Sequence, residues 1–304
     1  MSPLAQRIEG ATAWLSAHRQ TLRRWGIVLS VILFAGGLFL AVEASPGILY
    51  RIDLTTFLLL FGVSAVLQPL LNAAEFRVMV EYGGRQVDWP TSLEVTVYTS
   101  ASNLLPLPGG VLTRMAAMRG YGIGVRTGGR IIILGLAVWG GAAAVYSGLW
   151  LMCAQAWLIG AVFCLGGIAG LLCAVHLCRA LNPSWRLLAK ILAVRIAALV
   201  LEAGRIMLAI LALGDQVAFN QASVLVVSSF VGTVVAIAPS GLGVREATVA
   251  ALSPFIGIDP AIGFLAATVN RIAGILGLVC VAGVVLALMA KNQRKPHQTV
   301  SSND

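Results

Sequence analysis

Charge is scarce in this sequence. Asp, Glu, Lys and Arg make up 11% of its 304 residues, against about 25% in soluble domains. That deficit excludes an ordinary water-soluble fold. Hydrophobic residues reach 59% and mean hydropathy is +0.90, so the chain reads as an all-α polytopic membrane protein. No stretch between apolar segments is long enough to form a soluble domain, and the chain is expected to work within the bilayer or through a separate partner. Enzyme signatures are also missing: there is no HExxH, GxSxG, Walker loop or Asp-rich metal site. No catalytic residue, metal or cofactor is therefore expected. The five cysteines (Cys153, Cys164, Cys173, Cys178, Cys280) form no CxxC and read as small apolar packing residues. The net charge of +9 comes without any aromatic-interleaved basic patch, which excludes a nucleic-acid footprint.

What the chain does have is a series of long apolar runs. Six read as membrane spans: Trp25–Ala44, Leu54–Leu71, Ile131–Met152, Trp157–Leu177, Ile191–Leu213 and Ala261–Met289, each near or above the roughly 17–25 residues a crossing needs. Residues 1–24 form a basic cytoplasmic segment, either an amphipathic surface helix or a tail that only sets topology. Residues 25–290 form the transmembrane domain, and 291–304 a cytoplasmic tail. His176 and the Glu75–Arg77 pair read as interface and rim residues.

Two further stretches are broken by proline and glycine. Thr91–Asn103 and Val111–Met118 flank the first break, and Ala222–Ala238 and Leu242–Leu252 flank the second. Three of these arms are too short to cross, and the fourth is borderline. Both stretches are expected to be re-entrant hairpins, over about 91–118 and 222–252. Charge supports this. Making the first a full crossing would put Arg119, Arg126 and Arg130 outside, and making the second one would flip the basic C-terminus. The positive-inside rule opposes both changes. Both termini are then cytoplasmic, with the first hairpin dipping in from the cytoplasm and the second from outside.

The two breaks resemble each other. Pro108, Gly110, Arg114 and Ala116 recur as Pro239, Gly241, Arg245 and Ala247 at a constant offset of 131. With opposite expected topology, this is the inverted-repeat plan of many secondary transporters, with broken helices meeting near the midplane. Each break leads into a helix, whose free amides and positive end suit an anion. Arg114 and Arg245 add a planar fork that binds two phosphate oxygens at once, or else each holds its hairpin through a nearby carboxylate or carbonyl. Glu246 either pairs with an intramembrane arginine or takes up a proton. Arg195, Glu202 and Arg205 share one face of the fifth span, and Asn270-Arg271 adds a polar point in the last. Five arginines against Glu202 and Glu246 leave an expected interior surplus of three positive charges, which favours an anionic visitor.

The stretch Pro239-Ser-Gly-Leu-Gly-Val-Arg-Glu-Ala247 resembles the C-terminal signature of the lysylphosphatidylglycerol synthase transmembrane family. The Asn103, Pro106, Gly110, Arg114 pattern resembles its first signature, and Arg271 sits where its last helix often carries an arginine. The likeness covers residues 20–290. It implies a lipid flippase in which Asn103, Arg114, Arg245, Glu246 and Arg271 line the lipid path, with Pro106, Gly110, Pro239, Gly241 and Gly243 shaping the headgroup site. Val111 stands where the first signature often has an acid, which weakens proton coupling there. No stretch corresponds to the family's soluble aminoacyl-transfer domain, so lysine transfer is not expected of this chain. The expected activity is translocation of an anionic or phosphate-bearing lipid in the cell (inner) membrane. The alternatives are a membrane subunit presenting lipid to a separate synthase or glycosyltransferase, and a small-anion transporter.

Overall fold

A computed structural model describes residues 19–103, 109–181, 184–234 and 241–293, and among these the structure is helical with no sheet. Eleven α-helices follow in order: α1 Arg19–Ala44, α2 Leu54–Tyr82, α3 Trp89–Asn103, α4 Gly109–Gly120, α5 Val125–Cys153, α6 Trp157–Leu181, α7 Trp185–Ala212, α8 Phe219–Val224, α9 Val227–Val234, α10 Val244–Leu252 and α11 Pro260–Gln293. Pro106, Pro108 and Pro239, most of the N-terminal segment and the end of the tail lie outside the described residues.

Four helices, α2, α5, α6 and the Pro260–Ala287 part of α11, are long and apolar enough to cross a membrane. They mark an integral multi-pass membrane protein. The 28-residue α7 is as long, but Arg195, Glu202 and Arg205 break its apolar run. In α1 the described apolar part is the shorter Ser30–Ala44.

The second span is longer than its hydropathy implies. Asp53 caps its start by accepting the amides of Thr55 (3.1 Å) and Thr56 (3.2 Å). The Thr56 hydroxyl and these amides hold the Asp53 carboxyl below its ordinary pKa. The helix then runs past Leu71 to Tyr82, because Phe76, Met79 and Val80 bury on its continuing inner face and nothing breaks it before Gly83-Gly84. Eleven residues beyond the expected end, including Glu75, thus join the bundle.

Both broken stretches fold as helical hairpins, α3 on α4 and α9 on α10. The leading arm of the second is itself interrupted, where one helix was expected over Ala222–Ala238. At Leu225-Val226 the bonding shifts to i→i+3, with Leu225 N donating to Ala222 O and Ser228 N to Leu225 O, both at 3.1 Å. The interruption is held from α5: Ser147 Oγ accepts Val227 N at 3.1 Å and donates to Ser223 O at 3.3 Å. A run of β-branched valines weakens the helix there, and a neighbouring hydroxyl takes up the freed backbone groups.

Element packing repeats between the two halves. Exchanging α1 with α6, α2 with α7, the α3–α4 hairpin with α8–α10, and α5 with α11 maps the packed pairs onto one another: α2–α11 onto α7–α5, α2–α3 onto α7–α8, and α1–α11 onto α6–α5. At the centre, α2 packs on α7. Helices α5 and α6 pack closely, with Gly141 facing Gly167 and Gly148 facing Gly160. A Cβ on Gly167 would lie 2.7 Å from Gly141 O, and one on Gly148 2.8 Å from Gly160 O. Close approach through small residues is how helices associate in lipid, where no hydrophobic force draws them together. Gly167→Ala is accordingly expected to cost about 1–3 kcal/mol by forcing the helices apart. Gly166→Ala, which meets nothing within 4 Å, should be nearly silent. Unfolding both variants in mixed micelles checks this.

Candidate functional site

The hairpins, α2 and α7 bring six charged side chains onto one cavity of about 350 Å³. At one pole, Glu75 of α2 accepts both terminal nitrogens of Arg114 from α4, at 3.3 and 3.4 Å, and is also paired with Arg195 of α7. At the other, Glu202 of α7 accepts Arg205 Nη1 at 3.0 Å and is paired with Arg245 from α10. Each pole is one carboxylate between two guanidiniums. One arginine in each comes from α7 and the other from the second arm of a hairpin.

The correspondence goes further. Glu75 lies on the long helix preceding the first hairpin, 39 residues before its arginine, and Glu202 on the long helix preceding the second, 43 residues before its own. The α7 arginines are held firmly. Arg205 donates from Nε to Ser64 Oγ and from Nη1 to Gln68 Oε1, both at 2.9 Å, and from Nη2 to Asn270 O at 3.3 Å. The Arg195 guanidinium lies 4.8 Å from the Trp139 ring centroid, a cation–π contact. The hairpin arginines are more open, with side chains 18% (Arg114) and 17% (Arg245) exposed against 9% and 6% for Arg195 and Arg205. They are the ones a visitor meets first.

Asn103 and Gly110 also line the cavity, and Gly110 N donates to Asn103 Oδ1 at 2.9 Å, which ties the start of α4 to the end of α3. Asn270 is fully buried and donates to Glu202 Oε1 at 3.2 Å. Glu246 and Arg271 do not line the cavity and pair with each other: Arg271 Nε donates to Glu246 Oε1 at 2.6 Å and Nη2 to Gly241 O at 3.3 Å. The other oxygen of Glu246 accepts Gly243 N at 2.8 Å, so this carboxylate ties the start of α10 to α11. Gly241 has φ +64° and packs on the Gly232 backbone.

Two expectations need correction. Glu75 and Arg77 are not a rim pair. Glu75 is 1% exposed inside the first pole, while Arg77 turns away, donating to Val87 O at 3.0 Å and lying over Trp89. The reason is the longer α2, which carries Glu75 into the bundle. With Glu75 counted, five arginines face three glutamates, so the interior surplus is two charges rather than three. The signal was available in the sequence: an acid precedes each hairpin by a similar interval.

Three residues on the cavity wall each hold a buried polar atom without a hydrogen-bond partner among the described residues: Arg195 Nε, Arg245 Nε and Thr99 Oγ1. Among the described residues, no group of three His, Cys, Asp or Glu is placed to hold a metal ion. No family model matches the chain, and no curated protein matches it.

Proposed function

We propose that this protein moves a lipid with an anionic or phosphate-bearing headgroup between the leaflets of the cell membrane. In this reading α1, α2, α5, α6, α7 and α11 cross the bilayer with both termini cytoplasmic. The hairpins α3–α4 and α8–α10 dip in from opposite faces as halves of an inverted repeat. The headgroup travels through the arginine-lined cavity while its acyl chains stay in lipid. Rocking one half against the other would open the cavity to each side in turn.

The observation that carries the reading is the cavity itself, with one hairpin arginine from each half and more positive than negative charge inside an apolar bundle. Ionised side chains at membrane depth are costly, and they mark a substrate path or a structural network. Here they line a space large enough for a headgroup. The matching packing of the two halves and the two Glu–Arg poles support the repeat. The likeness to the lysylphosphatidylglycerol synthase transmembrane family rests on the motif residues and points to the same activity.

Lipid translocation in proteoliposomes tests it, with headgroup-labelled anionic and zwitterionic lipids. Protein-dependent flipping should prefer the anionic lipid, and should fall about tenfold or more in Arg114→Ala and Arg245→Ala, the loss of one charge-assisted contact. Flux of headgroup-free anions without lipid movement would instead identify a small-anion transporter. Folded protein that flips no lipid alone, yet holds a lipid-modifying enzyme, would identify a substrate-presenting subunit.

A further inference from the structure

We infer that the cavity is matched to a headgroup carrying two negative charges, a terminal phosphomonoester on a lipid, in preference to the singly charged phosphodiester of common anionic phospholipids. This rests on the lipid-transport reading and narrows its substrate class.

The charge count carries the inference first. The charged side chains lining the cavity are Arg114, Arg195, Arg205 and Arg245 with Glu75 and Glu202. Each pole therefore keeps one uncompensated positive charge, and the cavity as a whole keeps two. Glu246 and Arg271 cancel each other outside it. In a low-dielectric interior such charges act across the whole cavity, so the sum over both poles sets the best ligand charge. A phosphodiester would neutralise one unit and leave the other buried and unmatched. A phosphomonoester carries about −1.5 to −2 at neutral pH.

The vacant hydrogen-bonding capacity is the second, independent observation. Three residues lining the cavity hold buried donors without a partner just behind its wall: the Nε of Arg195 and of Arg245, one from each pole, and the Thr99 hydroxyl. Arg195 is only 7% exposed and Thr99 6%, so neither donor is readily served by bulk water. All three can donate, whereas the unpartnered acceptor Asn270 Oδ1, beside Glu202, lies outside the cavity lining. A ligand that draws these donors towards the cavity is rich in acceptors and poor in donors. A terminal phosphate offers three acceptor oxygens; a phosphodiester offers two free ones.

The test uses the full chain in nanodiscs of phosphatidylcholine. Spin-labelled phosphatidic acid (a monoester) and phosphatidylglycerol (a diester) with the same acyl chains report the protein-bound fraction, with inorganic phosphate as soluble competitor. At about pH 8.5, where the monoester has lost its second proton, phosphatidic acid should be held about tenfold more tightly than phosphatidylglycerol. The advantage should shrink towards parity near pH 5, about a unit below the monoester's second pKa of about 6. Phosphatidylglycerol binding should barely change. Equal retention of the two lipids at both pH values would overturn the two-charge match and leave anionic-lipid transport standing. Retention of neither lipid, from folded protein, would overturn both. Inorganic phosphate competing as strongly as the lipid monoester itself would overturn the lipid assignment and give the cavity to the free ion.

Discussion

Glu75→Ala is expected to destabilise the protein by about 3–5 kcal/mol, the cost of leaving buried charge without its partner. The carboxylate sits between Arg114 and Arg195 and is the acidic partner of both. Removing it leaves two guanidiniums facing each other in an apolar bundle. An exposed rim residue would cost under about 0.5 kcal/mol, so the two descriptions of Glu75 differ widely. Arg114→Ala alone should cost far less, because Glu75 keeps Arg195 and the pole becomes a neutral pair. Adding Arg114→Ala to Glu75→Ala should therefore restore part of the lost stability, since it removes one of the two stranded charges. Denaturant titration of the four proteins in mixed micelles measures this cycle. Additive losses would show that the three groups do not act as a unit.

The second large effect is expected at Gly241. Its φ of +64° already disfavours any side chain, and an added Cβ would overlap the Gly232 carbonyl, which is backbone and cannot rotate away. Gly257 is the control, with φ +75° and nothing within 4 Å of an added Cβ. Gly257→Ala should cost about 1 kcal/mol, the conformational term alone. Gly241→Ala must also push α9 off α10, where Arg245 stands beside Gly232, and shift the carbonyl that accepts from Arg271. Translocation should fall about a hundredfold or more, since an angstrom of misplacement in a positioned site costs about that much. Stability should also drop by more than in the control. Translocation assays and unfolding of both variants read this out, and equal behaviour would mean that the close approach at the hairpin tip does not hold the site.

Much of this arrangement is legible in the sequence because the bilayer permits so little. Runs such as Ile131–Met152 and Trp157–Leu177 leave few alternatives to a helix, and the breaks expected from proline and glycine fall between α3 and α4 and between α9 and α10. Arg114 and Arg245 stand out because charge is scarce. Glu75 was less visible. Hydropathy falls after Leu71 although the helix does not, since propensity and inner-face burial carry it on to Tyr82. Periodicity also could not pair Glu75 with Arg195, 120 residues away, a contact made only when α2 packs on α7. The break at Leu225-Val226 depends on Ser147 from another helix, which no local pattern announces. The family resemblance implies that Glu246 and Arg271 line the lipid path, whereas the fold uses their charge to join α10 to α11.

Among the described residues, that last junction has no twin. The start of α10 is fastened by a carboxylate, that of Glu246, paired with Arg271, and Gly243 packs against the α1 backbone at Ser30. The position matching Glu246 at the 131-residue offset is Met115, and the start of α4 is fastened by the neutral amide of Asn103. A device made of two identical halves facing opposite ways would be obliged by symmetry to rest equally in its two orientations. Unequal fastenings lift that degeneracy. On the proposed inverted arrangement, the inward- and outward-facing forms are states of different free energy, and the empty protein has a preferred side.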